Sequence, residues 1–407
     1  MKCKKLLSFI LLICVLAGLL SFPVSAATLE NGLMYVIQDG EVTISNYVGK
    51  SAEIVVPAVI DGYPVTTIGG SAFKEKDFIK KVVLPDSITT IGQDSFLYCK
   101  GLEEINIPYS VTYIADGAFC GCHSLKEIYF PSSLQYIGSS FTECRSLEEI
   151  VIPDSVKSIN VAAFAGCTSL REVTLSNSLK KLQTQLFEGC TSLESIVIPN
   201  SVTEIRPHAF GSCTKLKDIV FPKSLNTFSG FGDTVFEEFV VPDTVTTIGL
   251  HAFVGANIKR IVLPSSVTYI TRHAFSYSSV RELVLPDSIH TIEQYAFNET
   301  YHLRNVVLPR NLRRIEQKTF ENSGIRTITI PANVYYISKT AFEGCESLSV
   351  IFFMGTPKQW EAMNPVIPDE TVVCFPNYEP EPTTPEVTFE TIMDAFFKSK
   401  LLPRWAF

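Results

Sequence analysis

Apolar residues recur along this chain with a period of 22 or 23 residues. Phe73, Phe96, Phe119, Phe141, Phe164, Phe187 and Phe210 mark one series, and Phe253, Phe275, Phe297, Phe320 and Phe342 continue it after one break in step. Prolines keep the same beat at Pro85, Pro108, Pro131, Pro153, Pro199, Pro222, Pro242, Pro264, Pro286, Pro309 and Pro331, with Ser176 in the missing slot. Within a unit, Leu147, Ile150 and Ile152 alternate as a strand requires, and Pro153 ends the strand because proline cannot donate to a ladder.

Short strands repeated at a fixed spacing stack as parallel neighbours, with the return path from Pro153 to Cys167 crossing the opposite side. The predicted fold is a repeat solenoid with one short parallel β-strand per 22–23-residue unit, an N-terminal hairpin cap and a C-terminal cap. About 13 rungs at about 4.8 Å would extend on the order of 60 Å. No unit can bury its Leu, Ile and Phe alone, so folding depends on stacking and on covered ends.

The unit L-x-x-I-x-I-P-x-S-V-x-x-I-x-x-x-A-F-x-G-C resembles the BspA-like subclass of leucine-rich repeats over roughly residues 55 to 353. The resemblance implies a leucine-rich-repeat solenoid in a bacterial surface or secreted protein, and, for several members, adhesion to host matrix proteins or other cells. It implies no catalytic residues. Val56 to Val65 resembles the opening unit of such proteins, and Met354 to Trp360 resembles their C-terminal cap, with Trp360 expected over the last exposed core. Tyr35 to Ile44 alternates around Asp39-Gly40 and reads as a hairpin that caps the first rung.

The ends carry different signals. Lys2, Lys4 and Lys5 precede an apolar run from Leu6 to Leu20, and Val24-Ser25-Ala26 offers small residues for a signal peptidase. The expected localisation is therefore secreted or cell surface, with cleavage near Ala26, which takes the net charge from −8 to −11. That acidity argues against nucleic acid as a partner. The organisation reads as signal peptide 1–26, capping hairpin and entry 27–60, solenoid 61–353 with an irregular unit at 223–242, C-terminal cap 354–376, Pro/Glu/Thr linker 377–387 and amphipathic tail 388–407. In the tail, Phe389, Ile392, Met393, Phe396 and Phe397 share a helical face; it docks back, touches a membrane surface or binds a partner.

Cys99, Cys122, Cys144, Cys167, Cys190, Cys213 and Cys345 all lie three residues after the unit's phenylalanine, where other units hold Ala256, Ser278, Thr300 or Ser323. A slot that accepts Cys, Ala, Ser or Thr asks for a small buried residue, so this is a packing column. Cys120 and Cys374 stand outside it. His208, His251 and His273 precede Ala-Phe in a slot so variable that it reads as exposed; a two-histidine site from His251 and His273 is the competing reading, without a third ligand. No Cys-x-x-Cys pair, phosphate-binding glycine loop, H-E-x-x-H or G-x-S-x-G element is present, so no enzyme, no cofactor and no metal site is expected. Asn298-Glu299-Thr300 matches the glycosylation sequon.

The residue between the two buried strand positions points outward: Val83, Asn106, Tyr129, Val151, Thr174, Val197, Val220, Val240, Val262, Val284, Val307, Thr329 and Phe352 in turn. This mostly β-branched column suits strand neighbours and also a protein-binding stripe. Beside it Lys80, Glu103, Lys126, Glu148, Arg171, Glu194, Lys217, Glu237 and Lys259 alternate in sign, a register device that stops at Arg281, Arg304 and Arg326. A second column is acidic through Glu104, Glu127, Glu149 and Glu172. Between Lys259 and Arg326 ten Lys/Arg face six Asp/Glu, a local +4 that includes Arg260. The expected function is an adhesin-like binding protein that takes a protein ligand or an acidic, sulfated glycan on this face. Tyr129, Val151, Val197, Val262, Val284, Arg260, Arg281, Arg304 and Arg326 are its candidate contacts. A structural role in the cell envelope, with the tail as the contact point, is the alternative; a hydrolase on this scaffold is a remote one.

Overall fold

The structure, a computed structural model, describes residues 27–29 and 31–377. The expected signal peptide, the tail and nearly all of the linker lie outside the described residues. The chain is a parallel β-solenoid that divides into two compact units, one ending at Cys144 and one beginning at Arg145.

The first unit opens with the hairpin Leu33–Gln38 and Glu41–Tyr47, paired antiparallel. Asp39 and Gly40 both have positive φ, the geometry a tight two-residue hairpin needs. Ala27–Thr28 pairs antiparallel on its outer side, while Glu41–Tyr47 runs parallel to Tyr63–Ile68 and so covers the open edge of the first coil. Glu53–Val55, Lys81–Val83 and Glu104–Ile105 then pair in parallel. A second column carries Tyr63–Ile68, Thr90–Ile91, Tyr113–Ile114 and Tyr136–Ile137. These short strands centre on the isoleucine of S-V-x-x-I and are mostly two residues long, too short to show alternation in sequence.

The second unit repeats both columns. Its longer strands include Glu149–Val151 with Glu172–Thr174, Ser195–Val197 with Asp218–Val220, and Val235–Val240 with Asn257–Val262 and Glu282–Val284. Asn305–Val307, Thr327–Ile330, Val350–Phe353 and Val372–Cys374 follow. The last strand is one rung beyond the helix Pro357–Met363, which starts at a capping box between Thr356 and Gln359 and stops at left-handed Asn364. The Trp360 ring lies 5.4 Å from that of Phe353.

Phenylalanines form the spine of the core. Phe73, Phe96, Phe119 and Phe141 stack at 4.9 to 5.3 Å in the first unit, and Phe253, Phe275, Phe297, Phe320 and Phe342 at 5.1 to 5.8 Å in the second. In some coils the serine of P-x-S-V staples neighbours together: the Ser224, Ser266 and Ser288 hydroxyls donate to the carbonyls of Val202, Val245 and Val267, one coil earlier, at 2.6 to 2.7 Å, whereas the equivalent Ser155 and Ser201 hydroxyls are buried without such a partner.

Candidate functional site

The outward column of the longer strands forms a regular exposed feature of the second unit. Val151, Val197, Val220, Val240, Val284 and Val307 are all exposed, Val197 at 62% and Val284 at 61%. Val262 and Thr329 are half-buried. Phe352, expected to point outward, is buried: it sits in register between Thr329 and Cys374, on the rung where the cap closes the coil. In the first unit Tyr129 is 74% exposed, and the Asn106 amide pairs with both backbone groups of Leu84 at 2.8 Å, extending the ladder through a side chain.

Some of the alternating border charges pair across coils. Lys80 meets Glu103 at 3.1 Å in the first unit, and Lys259 meets Glu237 at 2.7 Å in the second, each pair linking successive coils. Such exposed pairs contribute little stability each, but a one-coil slip would set like charges together. Glu149 and Glu172 do stand opposite each other in register, both exposed.

The basic block is less free than its composition suggests. Arg260 lies between Glu238 and Glu282, 3.9 Å from each. Arg304 is half-buried, and its guanidinium donates to the carbonyls of Tyr301 and Gly324 at 2.7 Å, which ties two coils together. Arg281 and Arg326 are exposed, with no carboxylate in ion-pair range among the described residues. Beside Val307 and Thr329 the surface opens into a hollow of about 510 Å³ walled by Leu308, Pro331 and Met354. A polar groove of about 610 Å³, with Tyr269, Arg272, Glu293 and Tyr336 on its walls, lies along the shorter strands.

All seven cysteines of the small-residue column are fully buried. The thiols of Cys99, Cys122, Cys190, Cys213 and Cys345 donate to the carbonyl of the preceding coil's phenylalanine at 2.9 to 3.3 Å. Burial pushes the Cys99 and Cys213 thiols up to about 12 and those of Cys122 and Cys190 well above their usual range. Asn298 and Thr300 are buried as well, so the sequon is closed in the folded chain.

The histidine slot differs most from expectation. His208, His251 and His273 are half-buried and have φ of 57°, 54° and 56°. Their rings form a ladder, 5.6 Å from His208 to His251 and 5.5 Å from His251 to His273, ending on Tyr295 at 4.8 Å. Burial holds His251 and His273 below the usual imidazole range, with the neighbouring imidazoles adding to the effect at His251. Variability made the slot look exposed; what it shares is a left-handed backbone, which periodicity does not report. Among the described residues no group of three or more His, Cys, Asp or Glu converges as a ligand set.

A family model described as BspA type leucine rich repeat region, in six copies, matches residues 66–141, 138–232 and 229–349. Among solved structures, a leucine-rich repeat protein from Bacteroides ovatus is 27% identical, with 88% of this chain and 100% of that one covered at a TM-score of 0.64. A leucine rich cell surface protein from Faecalibacterium prausnitzii is also 27% identical, covering 84% of this chain and 98% of its own at 0.61. The pneumococcal vaccine antigen PcpA, 18% identical over 86% of this chain and 93% of its own, shares the fold at 0.55. No curated protein matches.

Proposed function

The chain belongs to the BspA-type leucine-rich repeat family, and from that premise we propose that it is an adhesin-like protein of the cell exterior that captures a protein ligand on its longer-strand face. The observation that carries this reading is the exposed valine column of the second unit. Stacked valines on a hydrogen-bonded parallel ladder are already ordered, so a partner that covers them gains apolar burial without paying to immobilise the surface. Repeat solenoids commonly bind through such extended surfaces. The hollow beside Val307 and Thr329 gives an apolar anchor side chain a place to enter. An exterior location is supported by the lysine-led apolar N-terminus and by likeness to a cell surface protein.

Charge selects among partners. With Arg260 neutralised by two glutamates and Arg304 bonded to carbonyls, Arg281 and Arg326 are the cations left for a sulfated glycan, whereas a protein ligand seated on the valines does not depend on them. The test is surface plasmon resonance of residues 27–407 against a panel of matrix proteins and heparin at several salt concentrations. Capture of a matrix protein that survives 0.5 M salt and persists in an Arg281→Glu/Arg326→Glu variant is the expected result. Binding confined to heparin and abolished by that variant makes the ligand a sulfated glycan instead. No capture of any panel member contradicts the adhesin reading.

A further inference from the structure

We propose that His208, His251 and His273 bind a divalent transition-metal ion of the zinc, nickel and copper class, held by imidazole pairs that share His251. All three occupy one position of the coil, two residues before the core phenylalanine. In a regular solenoid His208 and His251 would be separated by an intervening coil, at about two strand spacings or 10 Å. The coil between them is the short one. It carries glycine at positions 230 and 232, and a Cβ on Gly232 would come within 3.2 Å of His208 Nδ1. The deletion and the missing side chain together let the two rings approach to 5.6 Å, and His273 follows at 5.5 Å on the next coil.

These spacings suit chelation. Two imidazoles on one tetrahedral ion, each with a metal–nitrogen bond of about 2.0–2.1 Å, hold their ring centres about 5 Å apart. At His273 the second shell is already built. Ser276 Oγ lies 3.0 Å from His273 Nδ1 and 2.9 Å from the Tyr295 carbonyl, with Asn298 Oδ1 also beside it. A hydroxyl has one hydrogen; given to an oxygen acceptor, it leaves Nδ1–H as donor to Ser276 and frees the Nε2 lone pair for a ligand. At the other end, His208 Nδ1 is buried without a hydrogen-bond partner. With no third protein ligand among the described residues, a bound ion keeps open positions for water. Copper should bind most tightly, because two neutral imidazoles follow the usual order of divalent affinities.

The test is isothermal titration of the full chain with Cu2+, Ni2+ and Zn2+ chlorides at neutral pH. Asparagine tolerates the left-handed backbone, so His251→Asn keeps the coil, checked by circular dichroism. The expected result is saturable uptake, tightest for Cu2+, weakened at least tenfold in His251→Asn. The double variant His208→Asn/His273→Asn, which leaves His251 without a partner, should lose the ion equally. His302→Asn, an exposed histidine outside the ladder, should bind as the parent does. Equal affinity in parent and His251→Asn, or no uptake by the parent, overturns the proposal.

Discussion

At the residue scale the cysteine column shows how a repeat turns a reactive side chain into a packing element. The slot admits only small side chains, and the thiol adds a second, weak donor to a turn carbonyl that already accepts a backbone N–H of its own coil. Two predictions belong here. Native alkylation at pH 8, followed by mass spectrometry, should label half-exposed Cys120 and Cys374 and spare Cys99, Cys122, Cys190 and Cys213, whose thiolate populations are negligible at that pH. The second concerns alkali. A thiol in an unfolded chain ionises near 8.5, whereas Cys99 and Cys213 hold their protons to about 12. Between those values the folded chain binds more protons than the unfolded one, so stability is fully present below about pH 8.5 and falls as pH rises through the window. Urea midpoints should drop from pH 7.5 to pH 10.5, and the drop should shrink in Cys99→Ala/Cys213→Ala.

Elements depend on the phenylalanine spine. Phe187 lies between Phe164 and Phe210, 5.8 Å from each, and Phe187→Ala should cost about 3–5 kcal/mol in urea unfolding. The short coil replaces its missing Ala-Phe-x-x-Cys features with an aromatic cluster: Phe239 meets Phe228, Phe231, Phe236 and Phe253 at 4.8 to 5.5 Å. Phe239→Ala should therefore fall at the upper end of the same range. Period and proline stops made the longer strands and the core phenylalanines legible from sequence, and alternation around Asp39-Gly40 did the same for the hairpin. The second strand column was not, because two residues cannot display an alternation. Nor was the meeting of His208 with His251, since a 43-residue separation spans two coils unless the length of the intervening one is known to be short. The carbonyl contacts of Arg304 were hidden for a related reason: composition counts a guanidinium but not the carbonyls it faces.

For the whole molecule, a net charge of −8 is a mean over unlike surfaces, and much of the +4 block is already paired or bonded. Apolar exposure on the longer strands is thus a better guide to the ligand than net charge. The most direct check is the affinity of a captured matrix protein for the triple variant Val197→Lys/Val240→Lys/Val284→Lys, compared with a Tyr277→Lys/Tyr301→Lys control whose exposed side chains lie on turns away from those strands. The strand-face account predicts at least a tenfold loss in the valine variant, about 1.4 kcal/mol or more, and an unchanged control. Full affinity in a folded valine variant would contradict it.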